Sequence, residues 1–125
     1  MNSIDQQQIT LMLPTSKGIE VIDIRSIIRV EAISNYSKLY FCSGKTLVVA
    51  KVLSKLQEVL AAACHGEMLG ELHFIRVHRT HLINKNFICQ YINGNGGKVK
   101  LHNGEQIDVS KRRKNHFLQC FCAAA

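Results

Sequence analysis

Four consecutive cations, Lys111, Arg112, Arg113 and Lys114, follow Ser110 where the chain enters a stretch carrying Phe117, Leu118 and Phe121. The pattern predicts a helix with Ser110 as N-cap, an apolar stripe and a wholly cationic first turn. A helix N-terminus already carries partial positive charge, so cations placed there oppose its dipole. Its free backbone N–H groups form a ready anion site. The arrangement makes chemical sense where a phosphate or a guanine edge supplies the missing negative charge. The bland alternative is a solvated charged face. Two further segments weigh against it. "NYSKLY" places Asn35, Tyr36, Ser37 and Lys38 in a polar loop entering a strand, and "RVHRTHLINKN" supplies Arg76, His78, Arg79, Thr80, Asn84 and Lys85. Arg, Lys, Asn, His and Ser are the residue types that contact phosphates and base edges.

Other chemistry finds less support. His73, His78 and His81 are close in sequence, and His116 lies near Cys120 and Cys122. No spacing matches a zinc finger or a metalloprotease helix. Within one strand His78 and His81 would face opposite ways, so they are not expected to share a metal. A Cys–His nucleophile needs an activated, electropositive thiol, and nothing singles out one cysteine. No enzyme is expected. "NGNGG" lacks the spacing of a phosphate loop. The last four residues, Cys122 to Ala125, fit a prenylation pattern literally, but Phe117, Leu118 and Phe121 place Cys122 at the end of a packed helix.

The chain has 125 residues, enough for one domain with a core that needs no staple. With 16 Lys+Arg against 9 Asp+Glu, its net charge of +7 favours a polyanionic partner. That partner is nucleic acid or, as the alternative, an anionic membrane surface. No apolar run approaches a membrane span, the first eight residues lack a signal-peptide core, and a cytoplasmic location is expected. The five cysteines form no CxxC pair and are expected to be reduced and mostly buried.

These residues need a scaffold, and the apolar periodicity describes one. Short runs rich in Ile, Val and Tyr, "ITLML", "IEVIDI", "IIRVEAI", "KLYF" and "TLVVA", predict strands cut by turns at 14–18, 34–37 and 43–44. Val52, Leu53, Leu56, Val59 and Leu60 share one side of a helical wheel, which predicts an amphipathic helix over about 51–62. A loop is expected over 64–72. Strands return with "HFIRVHRTHLI", "FICQYI", "KVKLH" and "EQIDV", the last two joined at Asn103-Gly104, a strong hairpin signal. The domain is expected over 9–122, with tails at 1–8 and 123–125.

The order of these segments resembles the LytTR DNA-binding domain of bacterial transcriptional regulators. The resemblance rests on Glu31-Ala32 with Asn35-Tyr36, on Phe74, Arg76, His78-Arg79-Thr80 and Leu82-Ile83-Asn84, and on Val109-Ser110-Lys111. It spans about Ile9 to Phe121. It implies a mainly β fold of elongated antiparallel sheets, with one amphipathic helix in the middle and a short C-terminal helix. It also implies specific binding to double-stranded DNA through loops. The segments at Ser37-Lys38 and Arg112 would enter successive major grooves, and the Arg79 loop would lie against the minor groove. The expected DNA-binding residues are Asn35, Tyr36, Ser37, Lys38, His78, Arg79, Asn84, Lys85, Ser110, Lys111, Arg112, Arg113 and Lys114. Thr80 replaces the usual Ser and keeps the hydroxyl. Lys111 replaces the usual Arg and loses the bidentate fork, which leaves Arg112 the better base contact. The resemblance further implies a two-component response regulator with a repeated site bound by two protomers. A receiver domain or sensor kinase would lie outside this chain. No cofactor, metal, membrane or small-molecule substrate is expected.

Overall fold

Ile27, Ile28, Arg29 and Val30 are buried in succession, so their strand has no solvent face at this point. The computed structural model describes residues 9–64 and 73–122. The elements run β1 (Thr10–Thr15), β2 (Gly18–Asp23), β3 (Ile27–Ile33), β4 (Tyr36–Phe41), β5 (Thr46–Val49) and α1 (Leu53–Ala63). They continue with β6 (Phe74–His78), β7 (His81–Asn84), β8 (Ile88–Ile92), β9 (Lys98–Leu101), β10 (Gln106–Asp108) and α2 (Lys111–Cys122). All strand pairs are antiparallel. The central sheet has the order β5-β4-β3-β7-β6, flanked by a β1-β2 hairpin and a β10-β9-β8 sheet. The fold is mainly β, as expected.

Side-chain alternation along the central strands divides the interior in two. Ile27, Val30 and Leu82 face a cluster with Leu13, Ile22, Leu39, Val49 and the α1 residues Leu53, Leu56 and Leu60. Ile28, Ile83, Ile75 and Val77 face the other way, toward Ile88, Val99, Leu101, Ile107 and Phe117 of α2. Burying one such aliphatic side chain contributes about 1.5–3 kcal/mol. Phe117 is the anchor of α2. It is fully buried, and its ring lies 5.8 Å from Tyr91 and 5.3 Å from Phe121. Gly97 makes room for this stack: its φ is +75°, and a Cβ there would collide with the Tyr91 ring. Val109 N–H donates to Gly97 O at 3.2 Å, which fixes the chain just before α2.

Several expectations change. Pro14 and Thr15 extend β1, leaving only Ser16 and Lys17 as the turn. The central helix starts at Leu53, with Val52 as an N-cap that is 41% exposed, outside the core stripe. Residues 73–84 are a hairpin, not one strand. His78 and His81 therefore face each other across the Arg79-Thr80 turn, ring centroids 6.1 Å apart, where a single strand would have separated them. Cys42, Cys89 and Cys122 are exposed, and only Cys64 and Cys120 are half-buried: Cys42 and Cys89 alternate with the buried Phe41 and Ile88, and Cys122 is the last residue of α2. All five are free thiols. The expected tails at 1–8 and 123–125, and all but Cys64 of the expected 64–72 loop, lie outside the described residues.

Candidate nucleic-acid interface

The register of the central sheet brings three polar segments to one of its ends. β3 pairs with β7 through Glu31↔His81, so the end of β3 and the start of β7 are neighbours. Ala32 N–H then donates to Thr80 O at 2.8 Å, joining the β3–β4 hairpin to the β6–β7 turn. Ser110 N–H donates to Val77 O at 2.9 Å, joining the start of α2 to the same turn.

The first segment is the two-residue Ser34-Asn35 turn. Ser34 has φ 56°, the left-handed region in which a side chain is strained by about 1–2 kcal/mol. Asn35 and Tyr36 are exposed. Lys38 is half-buried, its ammonium 5.2 Å from the Tyr40 ring. Ser37 points the other way. It is fully buried and its hydroxyl donates to Lys51 O at 2.7 Å, so its side chain is not at the surface where the sequence placed it.

The second segment carries Arg79 at its tip, with an exposed side chain that makes no hydrogen bond or ion pair among the described residues. Behind it, Arg76 donates from Nε to His78 O (2.9 Å), from one terminal nitrogen to Arg79 O (2.5 Å), and from the other to Gln57 Oε1 on α1 (3.1 Å). Thr80 Oγ1 lies 2.8 Å from His78 Nδ1 and 3.0 Å from His81 Nδ1. Thr80 N–H also donates to His78 Nδ1 at 3.3 Å, so that nitrogen is an acceptor. His81 reaches Glu31 at 3.9 Å, and Tyr40 donates to Glu31 at 2.8 Å. Burial outweighs the attraction of Glu31 and holds His81 below its ordinary pKa. Deeper in the sheet, Arg29 forks onto both Glu105 oxygens at 3.1 Å and stacks 3.7 Å above Tyr40. Its remaining nitrogen lies 3.6 Å from Glu31, within ion-pair reach but beyond hydrogen-bond length.

The third segment begins α2. Lys111 and Arg112 are exposed, Arg113 and Lys114 half-buried, and no acidic residue occupies the first turn. None of the four makes an ion pair among the described residues. The expected side-chain N-cap is absent: Ser110 Oγ is buried without a partner, and Arg113 N–H closes the turn on Ser110 O at 3.1 Å. Burial, and secondarily the charge of Arg113, push the Arg76 guanidinium below its ordinary pKa, so the positive field of α2 reaches the β6–β7 turn.

Two expected contacts lie elsewhere. Asn84 is fully buried; its amide donates to Ile27 O at 2.9 Å and its oxygen accepts from Asn86 N–H at 3.0 Å. Lys85 donates to Cys120 O at 2.8 Å. Cys120 lies roughly 15 Å along α2 from Ser110, at 1.5 Å of rise per residue, so Lys85 serves the far end of that helix. Among the described residues no three His, Cys, Asp or Glu side chains are placed to hold a metal. No described helix is long and apolar enough to cross a membrane. The sequence missed Arg76 as the brace of the turn; the only local signal was a cation inside an otherwise alternating strand.

Comparison with known proteins bears on the fold and the family. A search of curated protein sequences finds no match. Among solved structures, the chain is similar to the LytTr DNA-binding domain of a protein described as a methyl-accepting/DNA response regulator from Bacillus cereus. The TM-score is 0.70 at 19% identity, covering 93% of this chain and 98% of that one, a likeness of fold. The sequence model of the LytTr DNA-binding domain family matches residues 17–121. The chain therefore belongs to the LytTR family of DNA-binding domains.

Proposed function

We propose that this domain binds double-stranded DNA sequence-specifically, as the output domain of a two-component transcriptional regulator in the bacterial cytoplasm. The observation that carries the reading is the convergence of three polar segments at one end of the central sheet, with Asn35, Tyr36, Arg79, Lys111 and Arg112 exposed there. Lys38 and the start of α2 occupy successive major grooves, with Arg112 on a guanine edge and Lys111, Arg113 and Lys114 on phosphates. Arg79 and His78 lie over the minor groove between them. Ser37 and Asn84 act from inside as supports, Lys85 holds the far end of α2, and Ser110 contributes its backbone. Two protomers on a repeated site would double the contact, and a receiver domain or sensor kinase would supply the input. The domain is a binding module, not an enzyme.

Selection of bound duplexes from a random pool, followed by titration at two salt concentrations, tests this. Neutralising ~6 phosphates lowers affinity on the order of a thousandfold between about 50 and 200 mM salt. A flat salt response, or equal affinity for every duplex in the selected pool, contradicts the proposal.

A further inference from the structure

We infer that Arg76 is a positioning residue for Arg79: it sets the direction of the DNA-facing side chain without touching DNA itself. The inference rests on the reading of the β6–β7 turn as part of the interface. Arg79 is flanked by two peptide planes, one containing His78 C=O and the other Arg79 C=O, and its φ and ψ are the rotations of those planes. Arg76 donates to both carbonyls, at 2.9 and 2.5 Å, from adjacent nitrogens of one rigid fork. The third nitrogen is tied to Gln57 of α1 at 3.1 Å, so the fork has a fixed base. On the following residue, Thr80 O accepts from Ala32 N–H at 2.8 Å and Thr80 N–H meets His78 Nδ1 at 3.3 Å. Every peptide plane from His78 to Thr80 is thus held, while the Arg79 side chain bonds nothing among the described residues.

The local sequence explains why such a brace is needed. The pairing slips by one residue between Arg76↔Leu82 and His78↔His81, which makes a bulge at the end of the edge strand β6. Arg79 and Thr80 form the turn with neither glycine nor proline nor asparagine to favour it. A turn without intrinsic preference wanders unless something external fixes it. Lysine at 76 keeps the charge but offers a compact ammonium that cannot span both carbonyls and the Gln57 oxygen in the same plane.

The test is a double-mutant cycle on the selected duplex, with the melting temperature and the amide exchange of residues 77–82 followed in parallel. Arg76→Lys is expected to weaken binding about tenfold, within the range of coupling between contacting residues, and to speed exchange in 77–82 while leaving α2 protected. In the Arg79→Ala background the same change is expected to cost less than about twofold, because there is no reader left to aim. Gln57→Leu, which loosens only the base of the fork, is expected to cost about two- to threefold and to be silent in the Arg79→Ala background. An undiminished effect of Arg76→Lys beside Arg79→Ala overturns the inference, since Arg76 then acts on DNA directly or on the whole domain. Global unfolding of Arg76→Lys together with a neutral Gln57→Leu overturns it as well. If Arg79→Ala alone leaves binding intact, the interface reading of this turn fails first and the positioning role with it.

Discussion

The two ends of α2 treat charge in opposite ways. At its C-terminal end the Lys85 ammonium donates to the carbonyl of Cys120, a cation where the helix dipole welcomes one. At its N-terminal end Lys111, Arg112, Arg113 and Lys114 stand against the dipole, without an acid in the first turn and with the Ser110 hydroxyl unpartnered. One end is arranged for the free protein. The other opposes the dipole in the free protein, a cost that the proposed DNA contact would offset. The same division separates the polar residues that looked alike in sequence. The side chains of Asn84, Ser37 and Lys85 are bonded inside the fold, whereas those of Arg79, Lys111 and Arg112 are exposed and bond no protein group among the described residues.

The largest effect expected from breaking this division is at Asn84. Asn84→Ala takes the amide donor from the buried Ile27 O and the side-chain acceptor from the solvent-accessible Asn86 N–H, and should destabilise folding by up to about 3 kcal/mol, at 1–3 for the buried carbonyl. Denaturant titration measures it; a loss under about 1 kcal/mol would return Asn84 to the list of candidate DNA contacts. Next comes Arg112→Ala. It should leave the melting temperature in place while lowering cognate affinity by about 1–3 kcal/mol and relaxing preference at one base pair. Normal binding by this variant would make the charged turn structural.

Lys85→Met should do the reverse, lowering stability by about 1 kcal/mol through the lost charge-assisted bond at the helix end and leaving affinity per folded molecule unchanged. A parallel loss of DNA binding would place Lys85 in the interface after all. Acid should sharpen the contrast between the protein's own stability and its complex. His81, chiefly through burial, and His73, through burial and then Lys85 and His116, both sit below their ordinary value of 6.5. The unfolded chain therefore binds more protons there, so stability is complete above about pH 6.5 and falls as pH drops through that value toward the lower folded ones. If the β6–β7 turn lies against DNA as proposed, phosphate near the turn should oppose the loss at His81. A scan of melting temperature against pH, with and without duplex, should show a shallower acid limb for the complex; identical limbs would remove His81 from the interface's field.

Most of the scaffold was legible because it depends on local pattern. Asn103-Gly104 closes β9 onto β10, and Leu53, Leu56 and Leu60 bury one stripe of α1 as their spacing requires. The Arg79-Thr80 turn was not legible, because strand-forming residues flank it on both sides and no turn residue interrupts them. Its conformation comes from Arg76 and from Ala32, which lies 48 positions before Thr80 in the chain. Ser37 and Asn84 looked like surface polar residues for a similar reason. Their partners, Lys51 O and Ile27 O, are 14 and 57 residues away. Lys85 finds Cys120 across 35 residues. Residue type showed that this end of the chain was cationic and polar, but only the register of the sheet separates the side chains that hold the fold from those left facing out.

The most direct test of that separation is Lys111→Glu, measured for folding and for DNA binding on the same preparation. Lys111 is exposed at the first position of α2, where a carboxylate suits the dipole and a cation opposes it by roughly 0.3–1 kcal/mol at low salt. The expected result is a melting temperature equal to or slightly above that of the native sequence, together with weakened binding to cognate and scrambled duplexes alike. A lowered melting temperature with unchanged DNA affinity would contradict it.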